Sequence, residues 1–456
     1  MKFRRKQSSP KRFLFLTLLL LLIAGSVGGY VLFFEGEKPL IDLEGTNPFI
    51  GQNSVIMYQI TDAKSGIRHI RISGTQGAVE KEIYSKTIPR TTYKGSVGPR
   101  EIHNSIDFNA KKAGFSDGKL TLTVEAQDFS LRGWFQGNRT VVNKEVIIDT
   151  MPPKIQVLHT EKYLSQGGTG IAIYRISDQQ AEHGVELAGV FHRGYLLGDG
   201  RTDTYISYFA LPYHAHSIDN LNIKAVDLAG NSAVVPFTTV FKQGVQRKDT
   251  INIGDGFLDR KIPEFEQYYP EMQGQNIEKY LYANQEVRKQ NNAKIKNLCK
   301  NSTDKRLWEG SFNRMAGSSR AGFADHRTYY YNKKPIDQQV HLGMDIASTK
   351  RAEVRAANNG IVKYADYLGI YGNMVLIDHG QGVFSLYSHL SQINVSPGDS
   401  VDKKSALGLT GTTGMAGGDH LHFSMLIHGT FVTPKEWWDL HWIEVTIEAP
   451  IRESKF

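Results

Sequence analysis

From Phe13 to Phe34 the chain runs through 22 residues of apolar character, broken only by Thr17, Ser26 and small glycines. At about 1.5 Å per residue, a helix of that length just crosses a hydrocarbon core of about 30 Å. Lys2, Arg4, Arg5, Lys6, Lys11 and Arg12 precede the run, and Glu35 and Glu37 follow it. Positive flanks stay on the cytoplasmic side, so the pattern predicts a single-pass anchor with the rest of the chain exported. A cleaved signal peptide is the rival reading, with Leu14 to Ile23 as its apolar region and Ala24-Gly25-Ser26 as the cleavage site. The apolar character resumes at Val31-Leu32-Phe33-Phe34, which favours the uncleaved anchor. The expected location is the inner membrane, with the bulk of the chain in the periplasm or otherwise outside the membrane.

The formal charge is +8, and the six cations before the apolar run account for most of it, leaving +2 for the rest. A nucleic-acid partner needs a basic face on the folded part, so that class is excluded. Cys299 is the chain's one cysteine. It permits no intramolecular disulfide, zinc ribbon or iron–sulfur site, and no lipid anchor beside the apolar run.

Residues 36–245 alternate apolar and polar positions, as in Ile70-Arg71-Ile72 and Leu120-Thr121-Leu122-Thr123-Val124, with Gly, Asn and Asp clusters between. That is the period of β-strands. A weak repeat pairs Leu122 to Asp128 with Leu221 to Asp227, an offset of 99 residues. The second copy continues into Leu228-Ala229-Gly230-Asn231. Such a strand end resembles the late strands of bacterial immunoglobulin-like sandwiches, and about 100 residues per module suits that fold. Asp149-Thr150-Met151-Pro152-Pro153 reads as a stiff linker. The modules are expected to be spacers, with protein partners in the cell envelope as the functional alternative. From Gly244 onward the pattern predicts two helices, Phe257 to Tyr269 and Asn276 to Lys300, separated at Pro270.

The chemistry gathers in the last third. His341-Leu342-Gly343-Met344-Asp345 is an H-x-G-x-D, and His420-Leu421-His422 is an H-x-H followed by the strand-like Phe423 to Ile427. On a strand, His420 and His422 face the same way. An imidazole from each motif plus the carboxylate makes a His₂Asp set, which leaves a tetrahedral zinc one open position. Imidazole and carboxylate suit iron or copper as well. No H-E-x-x-H occurs, so a helix-borne zinc site is excluded. The run Gly411 to Gly418 lacks the G-K-[ST] ending of a phosphate loop and precedes a strand; it reads as turns that set up His420.

These motifs, with Ile370-Tyr371-Gly372-Asn373, Ile377-Asp378-His379-Gly380, Tyr387-Ser388-His389-Leu390, Pro397-Gly398-Asp399 and Thr413 to Phe423, resemble the LytM/lysostaphin-type zinc endopeptidases. Those enzymes cut the peptide crosslinks of bacterial peptidoglycan. The resemblance covers roughly residues 315–440. It implies one zinc ion held by His341, Asp345 and His422, His389 and His420 as the catalytic pair, and peptidoglycan as substrate. A histidine titrating near neutrality can take a proton and return it to a leaving amine. Arg327 sits where the family shows an F-G-x-R-like segment, although Ala324 replaces the usual glycine. It is expected either to meet a substrate carboxylate or to tie a loop. Tyr371 and Asn373 are expected along the groove, with turn formation explaining Asn373 equally well. His379 and His428 read as structural.

The expected architecture is mostly β and multidomain. It comprises a basic tail (1–12), an anchor (13–34), two immunoglobulin-like modules (36–150 and 151–245), a helical linker or regulatory segment (246–310) and an antiparallel zinc peptidase domain (311–448). Beside the hydrolase stand two other readings. One is a noncatalytic or latent regulator of other wall hydrolases, with the helices of 255–300 over the groove. The other is an adhesin acting through its β modules.

Overall fold

The computed structural model describes residues 10–92, 97–198, 200–245 and 247–454, and the fold is mostly β and multidomain. Pro10–Phe33 forms one helix, and Pro10–Tyr30 is long and apolar enough to cross a membrane, as a signal sequence also would be. The chain divides into two compact units, 1–152 with 227–231, and 153–226 with 232–456.

The first unit carries a two-sheet β module. One sheet orders Leu40–Asp42, Ser54–Thr61 and Glu101–Phe108. The other orders Phe49–Ile50, Arg139–Ile148, Gly118–Asp128, Ile67–Gln76 and Val79–Thr87. Alternation puts Ile56 and Ile60 of the first sheet, and Ile70, Ile72, Leu122 and Val124 of the second, into the interior. Burying such side chains is what holds two sheets face to face.

The second unit opens with another pair of four-stranded sheets. One contains Thr169–Ile176 and Thr204–Ala210, the other Glu182–Leu187 and Asn222–Val226. Every residue of Thr204–Ala210 is buried, because both of its faces are covered. One face packs within its own module. The other sends Ile206 and Tyr208 into the same core as Trp308, Phe312, Val375, Ile377 and Trp437 of the C-terminal region. Trp437 is fully buried on the short helix Pro434–Trp438. Its Nε1 donates to Thr169 Oγ1 at 3.3 Å, and its ring lies 5.4 Å from that of Trp308 and 5.3 Å from that of Phe312.

Between these parts run the helices Asp255–Glu266 and Asn276–Leu298, the second carrying a π-turn at Ala283–Val287. Cys299 follows, buried and free, and burial pushes its thiol up. The C-terminal region is built on an antiparallel sheet in the order Ser318–Ala321, Met344–Ala347, Leu421–Ile427, Val383–Leu390, Asn373–Asp378, Gly360–Tyr367, Ser400–Val401, with Thr430–Val432 joined to Leu421–Ile427. Lys248–Ile253 pairs in parallel with His326–Tyr331, which pairs with Lys334–Val340. This small sheet delivers the chain to His341.

Candidate metal centre

Asp345 and His422 sit directly opposite one another on neighbouring antiparallel strands, so their side chains share a face. His341 reaches the same point from the turn before Met344–Ala347. Its Nε2 lies 2.9 Å from Asp345 Oδ1 and 2.9 Å from His422 Nδ1, and the third edge, His422 Nδ1 to Asp345 Oδ1, is 3.0 Å. Gly343 makes this approach possible. A Cβ there would stand 2.6 Å from His422 Nε2, Phe423 O and Ser424 Oγ, closer than packed atoms tolerate.

The outer nitrogens of both histidines are held. His341 donates through Nδ1 to Gly322 O at 2.8 Å, and His422 Nε2 lies 3.1 Å from Ser424 Oγ. The Gly322 carbonyl leaves His341 Nε2 as a lone pair, and with Nε2–H donated to the Ser424 hydroxyl, His422 Nδ1 is one as well, both aimed at Asp345 Oδ1. Three acceptors within 3.0 Å of one another repel unless a cation lies among them. Two imidazoles and a carboxylate, each oriented from behind, are the donor set of a three-ligand zinc site. The spacing is close to the ~3.3 Å edge of a tetrahedron with ligands at 2.0–2.1 Å. Burial works against charge on Asp345, yet His341, His420 and His422 hold its carboxyl well below the usual range.

His389 and His420 flank this group, with ring centroids 4.9 Å apart. Both are anchored through Nδ1, His389 on Thr413 O and His420 on Gly418 O, each at 2.8 Å. Their Nε2 atoms are thereby free to face the centre, and that of His420 lies 3.5 Å from Asp345 Oδ1. His389 adopts φ +63°, a left-handed conformation that costs a non-glycine residue on the order of 1 kcal/mol or more. Burial, and then the neighbouring histidines, push its pKa well down. Asp345 outweighs burial at His420 and holds that one up.

Among the groove candidates, Arg327 donates from Nη2 to Asp345 Oδ2 at 3.0 Å and lies 3.5 Å from Asp249. Tyr371 is buried, with its ring 5.9 Å from that of His422 and its hydroxyl donating to Asn292 Oδ1 at 2.8 Å. Both line the cavity of about 420 Å³ around the centre, and so do His341, Asp345, His389, His420 and His422; Asn373 is not among its lining residues. Asn373 instead opens a strand, its N–H held by Thr413 Oγ1 at 3.0 Å. No sequence motif marks the opposite wall, where Ile251, Ile253, Phe257, Tyr280 and Arg288 come from the segment before the domain.

An antiparallel sheet carrying a His₂Asp group beside two further histidines defines the class of a metallopeptidase-like domain. Residues 339–434 match Peptidase family M23, and the C-terminal domain of this chain is an M23 peptidase domain of the LytM/lysostaphin type. The chain is 38% identical over 106 residues to a DD-carboxypeptidase/endopeptidase, Mpg, of Neisseria meningitidis, covering 23% of this chain and 24% of that one. It is 34% identical over 97 residues to the peptidoglycan DD-endopeptidase ShyA of Vibrio cholerae, covering 21% and 23%. It is 36% identical over 95 residues to the murein hydrolase activator EnvC of Escherichia coli, again covering 21% and 23%. The chain thus spans about a quarter of the length of these relatives.

Proposed function

We propose that this chain is a membrane-anchored zinc endopeptidase that hydrolyses peptide crosslinks of bacterial peptidoglycan outside the inner membrane. The observation that carries this reading is the meeting of His341 Nε2, Asp345 Oδ1 and His422 Nδ1 within 3.0 Å, in one cavity with His389 and His420. Zinc bound by these three donors supplies a Lewis acid that polarises the scissile carbonyl and brings the pKa of water toward neutrality.

The chain's own residues do the rest. The Nε2 atoms of His389 and His420 divide two tasks. One takes a proton from the attacking water and passes it to the leaving amine; the other donates to the oxyanion that develops on the carbonyl. Their Nδ1 anchors on Thr413 O and Gly418 O keep both rings aimed before substrate arrives. Arg327 holds the outer oxygen of Asp345, which leaves Oδ1 for the metal. The buried ring of Tyr371 excludes water from one side.

The test is digestion of purified, crosslinked sacculi by zinc-loaded protein and by His420→Ala, with released muropeptides analysed by mass. Loss of crosslinked dimers with the unaltered chain alone identifies the enzyme and the bond. Undiminished cleavage in saturating chelator overturns the metal assignment.

A second reading, latency, draws on one observation. The helical segment grips both loops that frame the centre. Gly414 N donates to Glu264 Oε1 at 2.5 Å, Lys261 donates to Thr412 O, and Ile370 N donates to Asn291 Oδ1 at 2.9 Å. In that reading the helices restrain the groove until a partner releases them.

A further inference from the structure

A second group of carboxylates converges in the first unit, apart from the peptidase domain. Glu35 lies two residues beyond the helix end at Phe33. Asp62 follows the strand Ser54–Thr61, and Asp128 ends the strand Gly118–Asp128. Each brings an oxygen within 4.8 Å of the others. Glu35 is only 4% exposed, Asp62 6% and Asp128 0%.

Part of this group is satisfied by the backbone. Asp128 Oδ1 accepts from Ser130 N and Asn138 N at 3.0 and 2.7 Å, and its Oδ2 accepts from Asn138 Nδ2 at 2.7 Å. Asp62 Oδ1 accepts from Gly66 N at 2.6 Å and Lys64 N at 3.2 Å, and Glu35 Oε2 from Ser65 N at 2.9 Å. The remaining oxygens, Glu35 Oε1 and Asp62 Oδ2, are buried with no hydrogen-bond donor among the described residues. Bare buried carboxylate oxygens are costly, and three anions in contact are more so. Arg100 lends Asp62 some positive charge. Even so, burial first and neighbouring carboxylates after it push both Asp62 and Asp128 above the usual carboxylate range.

The repeat in the chain supplies an internal control. Asp227, at the matching strand end, accepts from Asn231 N and Asn231 Nδ2, both at 2.8 Å. Asn231 Nδ2 also donates to Asp149 O at 2.8 Å, as Asn138 Nδ2 does to Glu35 O at 3.0 Å. The Asp–Asn pair and its grip on the incoming strand are therefore a device of the turn. Glu35 and Asp62 add two buried anions to that device in the first module, and the turn does not need them. Among the described residues, no such carboxylate group forms at Asp227.

We propose that Glu35, Asp62 and Asp128 form a calcium site that fastens the segment leaving the membrane anchor to the first β module. The donors are all oxygen, which selects a hard cation over zinc or copper. Oxygens within 4.8 Å of one another can all reach one ion at a calcium–oxygen distance of about 2.3–2.6 Å, in the flexible geometry that calcium accepts and magnesium does not. Water completes the six to eight ligands that calcium takes. The site is independent of the peptidase chemistry.

The test uses the detergent-solubilised full chain, stripped of calcium. Calcium chloride is titrated in while bound calcium is measured by equilibrium dialysis and unfolding by calorimetry. One calcium per chain should bind and raise the melting temperature by about 5 °C or more at saturation. Glu35→Gln with Asp62→Asn should abolish both effects. That variant should also melt above the unaltered chain in calcium-free buffer, since it removes two bare anions; this readout shows that it folds. Asp227→Asn should leave calcium binding unchanged. Failure to bind calcium at millimolar concentration, or unaltered binding in the double variant, overturns the site. An equal shift with magnesium overturns the calcium assignment.

Discussion

Arg327 and Asp345 are joined on the far side of the candidate centre: the guanidinium Nη2 donates to Oδ2 at 3.0 Å, while Oδ1 of the same carboxylate meets His341 and His422. The two oxygens therefore do different work, and the arginine keeps the carboxylate from rotating. Partners of metal ligands of this kind are typically worth 10- to 100-fold in metal affinity or activity. Arg327→Ala should weaken zinc binding by about that factor. Arg327→Lys should rescue only part, because lysine lacks the planar fork. Competition against a calibrated chelator reads both.

The two histidine pairs should separate by what they lose. His341→Ala and His422→Ala should fail to retain zinc at all, because two ligands remain. His389→Ala and His420→Ala should keep about one zinc per chain yet lose about 100- to 1000-fold in turnover on crosslinked sacculi. Zinc content by atomic emission, set beside muropeptide release, distinguishes the classes.

If the helical segment restrains the groove, loosening its grip should raise turnover. Glu264→Ala removes the acceptor of Gly414 N, and Asn291→Ala that of Ile370 N. The double variant should cleave sacculi several-fold faster than the unaltered chain at equal zinc loading. An unchanged or reduced rate assigns the helices to support of the site.

Stability of the second unit should peak in a narrow pH range, for opposed reasons. Burial pushes His379 down to about 4 and His428 down to about 3. Their folded values lie below the unfolded value near 6.5, so the stability they contribute is complete above pH 6.5 and lost as pH falls through about 4 for His379 and about 3 for His428. His379 is worth on the order of 3 kcal/mol and His428 on the order of 5 kcal/mol. Burial raises Glu436 to about 8. Its contribution is complete below about pH 4.5 and lost as pH rises through 8. Glu436→Gln should therefore raise the melting temperature at pH 8 and leave it unchanged at pH 4.5. His428→Leu, which also removes a nitrogen lacking a partner among the described residues, should flatten the acid limb. Melting curves from pH 4 to 9 test both.

Much of this arrangement is legible in the residues alone. H-x-G-x-D and H-x-H announce a shared point because strand alternation projects His420 and His422 to one side, and the strands at Asn373, Val383 and Leu421 carry the β period. The mostly β, multidomain fold follows from the same alternation. Other features depend on long-range pairing that no local pattern encodes. Arg327 reaches Asp345 from a strand held in place by Lys248–Ile253, more than seventy residues earlier. The same pairing brings Ile251 and Ile253 to the cavity wall. The left-handed backbone at His389 has no residue signature, since any non-glycine residue adopts it only uncommonly. Asn373 illustrates the converse: its strand is readable, but the turn before it directs the backbone to Thr413 and away from the cavity wall.

The core shared by Ile206, Tyr208, Trp308, Phe312 and Trp437 bears on how this chain can be handled and how it can have been assembled. A catalytic fragment cut at residue 311 would carry Trp437 and Phe312 to the surface without their cover, presenting an adhesive aromatic face to other copies of itself. The smallest soluble preparation therefore begins before Ile155, where the second sheet pair starts. A transplant of the peptidase onto another scaffold must bring that sheet pair with it, as one piece of cargo.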